Sequence, residues 1–232
     1  MSADPTRPTE ISLLLVDDQP LARMGFRLII ESEPGFRVVA EAADGESAIA
    51  LAMEHRPDVV LMDVRMPGVD GIEATKAIVA AHPDCRVLVL TTFDLDDYAF
   101  AALRAGASGF LLKDALPQEL LSSIRAVAAG DAAISPRIAH RMLELFAPHL
   151  PVNASQPASG LDPRLAVLTP REVDVLRVLA GGTSNAEIAA QLHLSEYTVK
   201  THVGRILTKL ALRDRLQAVV LAFETGLVTV GS

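Results

Sequence analysis

The first half of the chain alternates between two hydrophobic patterns. Short apolar runs recur at residues 12–16, 36–40, 59–62, 87–90 and 110–112. Their brevity and near-continuous hydrophobicity predict strands buried on both faces. Between them, apolar residues recur at helical spacing over 21–31, 46–54, 72–81, 97–105 and 118–129. Strand followed by helix, five times over, predicts an α/β fold: a doubly wound, five-stranded parallel sheet with helices on both faces.

The pattern then changes. A further helix is expected over 135–147, after which Pro148, Pro151, Pro157 and Pro163 are interleaved with Asn153, Ser155, Ser159 and Gly160. That composition predicts a semi-extended linker. From Thr169 onward no strand pattern remains. Thr169-Pro170-Arg171-Glu172 places a hydroxyl at a helix N-cap, proline at the first helical position and a carboxylate at the third, so that orphan amides are satisfied reciprocally. Gly181-Gly182 stops that helix. Ser184 and Glu187 repeat the capping box, and Ser195 caps a third helix after the turn His193-Leu194. Residues 213–223 supply a fourth, with Leu216, Val219, Val220 and Phe223 on one stripe. The expected organisation is a domain over 10–131, a linker over 132–164 and a small all-α domain over 165–232.

Composition adds limits. A chain of 232 residues with 50% apolar and 22% charged side chains has the makings of two ordinary cores and excludes wholesale disorder. No apolar run approaches the ~18 residues of a membrane span, and the polar segment 1–10 lacks the apolar stretch of a secretory signal. A single cysteine, Cys85, cannot form an internal disulfide and is expected to be a buried structural residue. Together these point to a cytoplasmic protein without a membrane partner.

The net charge of −8 is unevenly spread. Residues 1–150 hold 22 acidic and 13 basic side chains, a net of −9, and residues 151–232 hold 7 and 8, a net of +1. Within the second part Lys200, Arg205, Lys209, Arg213 and Arg215 are opposed by Asp214 alone, a local +4. A basic stripe inside an acidic protein admits nucleic acid as a partner.

In a doubly wound sheet, ligands bind beyond the carboxyl ends of the strands. Asp17 and Asp18 follow the first expected strand, Asp63 the third and Lys113 the fifth, while Thr91 ends the fourth. Three crowded carboxylates repel unless a cation or a raised pKa relieves them. Mg2+, a hard ion that takes a few carboxylates together with phosphate oxygens, suits the set. A hydroxyl and an ammonium beside it supply donors for a phosphoryl group.

Leu14 to Asp18 (LLVDD), Asp63-Val64-Arg65-Met66-Pro67 with Gly71, Thr91, and Gly109 to Lys113 (GFLLK) resemble the receiver domain of two-component response regulators. The resemblance spans about residues 10–130. It implies a flavodoxin-like fold with Asp63 as phosphoacceptor from a sensor histidine kinase. It further implies Mg2+ held by Asp17, Asp18, Asp63 and the backbone carbonyl of Arg65, phosphoryl oxygens bound by Thr91 and Lys113, and a switch formed by Thr91 and Phe110. Two departures stand out. Asp114 follows the lysine where many receivers have proline, so no cis bond is expected there, and Phe110 lacks a phenol hydroxyl.

In the third helix of the tail, Val199, Val203, Ile206, Leu207 and Leu210 form a buried stripe. Thr198, Thr201, Arg205 and Thr208 point away from it, with Lys200, His202 and Lys209 on the shoulders, a composition suited to a major groove. Leu168 to Glu172 (LTPRE), Gly182 to Ala189 (GTSNAEIA), Leu194 to His202 (LSEYTVKTH) and Lys209-Leu210 resemble the LuxR-type helix-turn-helix. With the receiver, the match is to the NarL/FixJ class of response regulators. It implies that Lys200, Thr201 and Val203 meet bases or their edges, that His202 and Arg205 meet the backbone, and that Thr198 and Lys209 complete the double-stranded promoter DNA contact. Gly204 departs from the basic or polar residue that many relatives carry. The implied function is a phosphorylation-dependent transcriptional regulator, active as a homodimer, rather than a turnover enzyme. Two alternatives are a regulator gated by a ligand or protein partner without phosphorylation and a Mg2+-dependent phosphatase. The second would normally carry its nucleophile in a D-x-D after the first strand, whereas Asp17 and Asp18 are adjacent.

Overall fold

The computed structural model describes residues 10–91, 98–131, 133–134 and 162–228. The helix expected over 135–147, and the linker up to residue 161, lie outside the described residues. The chain divides into two compact units, 1–134 and 135–232.

The first unit runs β1 (Ile11–Val16), α1 (Pro20–Glu31), β2 (Phe36–Ala42), α2 (Gly45–His55), β3 (Val59–Asp63), α3 (Gly71–Ala81), β4 (Arg86–Thr91), α4 (Tyr98–Ala105), β5 (Gly109–Leu112), α5 (Pro117–Ala128) and β6 (Ala133–Ile134). All pairings are parallel and the strand order is β2-β1-β3-β4-β5-β6. The expected doubly wound sheet is present, extended by β6. With two residues, β6 is too short to show a hydrophobic period; it is a strand because Ala133 and Ile134 pair with Gly109 and Phe110.

Strand side chains alternate between faces. Leu13, Leu15, Leu61, Leu88, Leu90 and Leu111 join Ile30 of α1 and Leu120, Ile124 and Val127 of α5 in one core. The alternate positions, Leu14, Val16, Val60, Met62, Val87, Val89 and Phe110, are equally buried, as are Ala48, Ala52, Ala74, Ile78, Ala102 and Leu103 of α2, α3 and α4. The alanines allow helices to lie close to the sheet. Cys85 is buried, as its place before β4 suggests. The chain leaves β1 toward β2 at one side and returns to β3 at the other, so the two connections diverge at the carboxyl ends of β1 and β3.

The second unit opens with a 3-10 turn, Pro163–Leu165, followed by α6 (Pro170–Ala180), α7 (Asn185–Leu192), α8 (Glu196–Lys209) and α9 (Arg215–Glu224). Both capping boxes form. Thr169 N donates to Glu172 Oε2 at 2.8 Å and Ser184 N to Glu187 Oε2 at 2.6 Å, each answered by the hydroxyl accepting from the glutamate's amide. α9 starts two residues later than expected because Asp214 is its N-cap, accepting from Gln217 N at 3.1 Å. Val173, Leu176, Leu179, Ile188, Val199, Ile206, Ala218, Ala222 and Phe223 form a shared core. Among the described residues no helix is long and apolar enough to cross a membrane.

Candidate functional site

Strand register assembles an acidic pocket. Val16 pairs with Met62, which sets Asp17, one step further along, beside Asp63. Asp63 pairs with Leu90, so Thr91 lies one step beyond on the next strand. Thr91 pairs with Leu112, and Lys113 follows. Lys113 N donates to Thr91 O at 2.8 Å, holding β5 to β4 at this edge. Residues distant in sequence therefore meet along one row.

The row is buried and short of positive charge. Asp17 is 1% exposed and Asp63 4%. The Lys113 ammonium lies 2.7 Å from Asp17 Oδ2 and 2.8 Å from Asp63 Oδ2, serving both. The second oxygens accept from Gln19 N (Asp17, 2.9 Å) and Arg65 N (Asp63, 3.3 Å). Asp18 Oδ1 is buried and has no hydrogen-bond partner. One oxygen from each of Asp17, Asp18 and Asp63 can be chosen so that all lie within 4.8 Å of one another. Three carboxylates against one ammonium leave two negative charges, which a divalent cation with oxygen ligands would neutralise. Burial raises the Asp63 pKa, with the Lys113 ammonium opposing. Burial works against the Lys113 charge too, but its hydrogen bonds to Asp17 and Asp63 outweigh this and raise its pKa.

The start of α3 closes against the end of β3 behind Asp63. Gly71, the first residue of α3, donates its amide to Val64 O at 3.0 Å, and a Cβ there would run into the Asp63 carbonyl oxygen. Phe110 is 1% exposed in β5, in register with Val89 and Ile134.

The second candidate surface is α8. Val199 and Ile206 face the core, and Val203 packs against it. On the opposite side Tyr197 is 83% exposed, and Lys200, Gly204, Arg205 and Thr208 are exposed around it. Lys200 and Arg205 have no carboxylate partner among the described residues. Thr198 is half-buried and shares a 2.8 Å hydrogen bond with the Ser195 hydroxyl. His202 lies on the shoulder with Nδ1 buried and unbonded. Lys209 instead donates to Glu172 Oε2 of α6 at 2.6 Å.

Comparison with known proteins matches these two units separately. Residues 13–125 fit the response regulator receiver domain, and residues 166–222 fit the bacterial regulatory proteins of the luxR family. The transcriptional regulatory protein YxjL of Bacillus subtilis (strain 168) is 46% identical over 220 residues, covering 94% of this chain and 98% of that one. The chain is a response regulator of the NarL/FixJ class. The nitrate/nitrite response regulator protein NarP of Escherichia coli (strain K12) is 41% identical over 218 residues, 93% of this chain and 96% of that one. Among solved structures, the response regulator ChrA of a heme-sensing two-component system shares 36% identity with a TM-score of 0.51, over 95% of this chain and 100% of that one. This response regulator is accordingly a DNA-binding transcription regulator.

Two cations of the regulator's basic stripe belong to its scaffold. Arg215 is 9% exposed; its guanidinium donates to Asn185 Oδ1 at 2.7 Å and to Thr183 O, tying the start of α9 to the start of α7. Lys209 ties the end of α8 to the start of α6 through Glu172, whose side chain is 3% exposed. Sequence reasoning registers such residues as charge only, because their partners lie 30 and 37 positions away. Replacing Glu172 with alanine should destabilise the second unit by about 2 kcal/mol, the worth of a hydrogen bond to a charged group, seen as an earlier thermal transition. Burial raises the Glu172 pKa, but hydrogen bonds from Lys209 and Thr169 outweigh it and hold it below the ordinary 4.5. Its contribution is therefore present above pH 4.5 and lost as pH falls through the depressed folded value. The alanine variant should lack this acid-side loss.

Proposed function

We propose that Asp63 accepts a phosphoryl group from a sensor histidine kinase and that this changes how the regulator meets promoter DNA. The carrying observation is the acidic row itself: Asp17 and Asp63 share one ammonium while Asp18 Oδ1 stays buried and unpartnered. These residues suit Mg2+, with Asp17, Asp18, Asp63 and the Arg65 carbonyl as ligands. Bound there, the ion would neutralise charge on the transferred group. An Asp63 carboxylate oxygen attacks phosphorus, the P–N bond of the phosphohistidine breaks, and the imidazole leaves with that electron pair. Lys113 and Thr91 then donate to the phosphoryl oxygens, and turning those two groups toward the new charge biases the fold between two arrangements through Phe110.

The output is an altered dimerisation or interdomain contact that brings two copies of α8 to half-sites about 10 bp apart. Lys200, Thr201 and Arg205 on the open side of α8 are the DNA contacts, with His202 and Thr198 beside them. Val203 and Lys209 support the helix through the core and Glu172. The test is incubation of the full chain with radiolabelled acetyl phosphate, with and without Mg2+. Hydroxylamine- and base-labile label on the peptide containing Asp63, absent after chelation, is the expected result. Label on another residue, or uptake indifferent to divalent cations, overturns the proposal.

A further inference from the structure

Gly204 lies in the interior of α8, where glycine weakens a helix relative to alanine. Nothing among the described residues requires it. It is absent from the glycines with positive φ, and a Cβ built on it meets no heavy atom within 4 Å. Gly45 and Gly71 present the opposite case, since a Cβ at either would collide with neighbouring backbone. The space above Gly204 opens outward.

Its surroundings give that space a chemical character. Turning by ~100° per residue, Tyr197, Thr201, Gly204 and Thr208 lie opposite the buried Val199 and Ile206. The Thr201 hydroxyl donates to Tyr197 O and the Thr208 hydroxyl to Gly204 O, both at 2.9 Å. With these hydroxyls turned onto the helix backbone, the threonines present their γ-methyl groups. The centre of the face is thus a phenol ring, two methyl groups and a bare Cα, with Lys200 and Arg205 on either side. In the major groove the thymine 5-methyl is the apolar feature that such a surface can meet.

We propose that Gly204 is a specificity-determining residue: α8 comes closest to the groove floor at its bare Cα, and the strip around it reads thymine methyl groups while Lys200 and Arg205 engage the phosphates. This rests on the assignment of α8 as the DNA-reading helix. A Cβ at position 204 would hold the helix off the floor, costing sequence-specific contact while strengthening the helix.

The test starts from a pool of random-sequence duplexes, from which the acetyl phosphate-treated full chain selects a preferred site. Gly204→Ala should raise the melting temperature of the second unit, yet weaken binding to the selected duplex by about 10-fold or more, the scale of one misfitted methyl group. Binding to an unrelated duplex should stay unchanged. Deoxyuridine in place of individual thymines should weaken wild-type binding at one or two positions per half-site and affect Gly204→Ala less. Wild-type affinity in Gly204→Ala, with Lys200→Ala weakened, overturns the role of Gly204 and leaves the assignment of α8 standing. Binding unmoved by deoxyuridine throughout the site overturns the thymine reading. If neither Gly204→Ala nor Lys200→Ala alters binding, the assignment of α8 fails and the inference with it.

Discussion

An Asp63→Asn chain should take up no phosphoryl group from acetyl phosphate, while melting above the wild type in chelator at neutral pH. The first result follows from removing the attacking carboxylate, since an amide oxygen forms no acyl phosphate. The second follows from burial. Asp63 is 4% exposed, and burial pushes its pKa above the ordinary 3.8 despite Lys113. A raised folded pKa means that ionisation works against the fold. The penalty is absent below pH 3.8, grows as pH rises toward the folded value, and is fully present beyond it. Asparagine keeps the shape and still offers an oxygen to Lys113 without carrying charge. The stability gap should therefore open from about pH 4 upward, and Mg2+ should narrow it by favouring the folded wild type through mass action. Thermal unfolding across pH, with and without Mg2+, reads this directly. An asparagine variant less stable than the wild type in chelator at neutral pH would contradict the account of the pocket as short of positive charge.

Gly71→Ala should be the most damaging single methyl group in the first unit. The new Cβ would overlap the Asp63 carbonyl oxygen and sit 3.0 Å from Val64 Cα. Both are main-chain atoms, so no side-chain rotation relieves the clash. Either α3 must move away from the end of β3 or Asp63 must shift. Overpacking of this kind costs about 3 kcal/mol, roughly a 10 °C drop in Tm for a unit of this size. Any displacement of Asp63 should also slow phosphoryl uptake by about 100-fold, as misplacement of a reacting group by an ångström can. Uptake at the wild-type rate with unchanged melting would show that the helix start can yield freely. The identical substitution at Gly204 should have the opposite sign on stability, because there the methyl group meets open space.

Much of this architecture is legible in the amino-acid order. Strands buried on both faces declare themselves as short apolar runs, and their ends point to Asp17, Asp18, Asp63, Thr91 and Lys113. Helix starts come out one residue late at α1, α2, α3 and α5, because the first helical residue is Pro20, Gly45, Gly71 or Pro117 and carries no periodic apolar side chain. β6 has too few residues to alternate. The larger omissions are matters of partnership. That one ammonium serves both Asp17 and Asp63, and that Asp18 Oδ1 has no partner, depend on distances between segments. Composition counts Lys209 and Arg215 with Lys200 and Arg205, although the first two have protein acceptors within 2.7 Å.

Those tethered cations bear on how the regulator would sense ionic strength. Each phosphate neutralised on a duplex releases condensed counterions, and binding weakens with added salt in proportion to their number. With Lys209 paired to Glu172 and Arg215 to Asn185 and Thr183, the basic stripe brings fewer unpaired charges to the polyanion than its composition suggests. Its hold on arbitrary duplex would be correspondingly shallow in its dependence on electrolyte, leaving shape and base-edge contacts to separate one promoter from the rest of the genome.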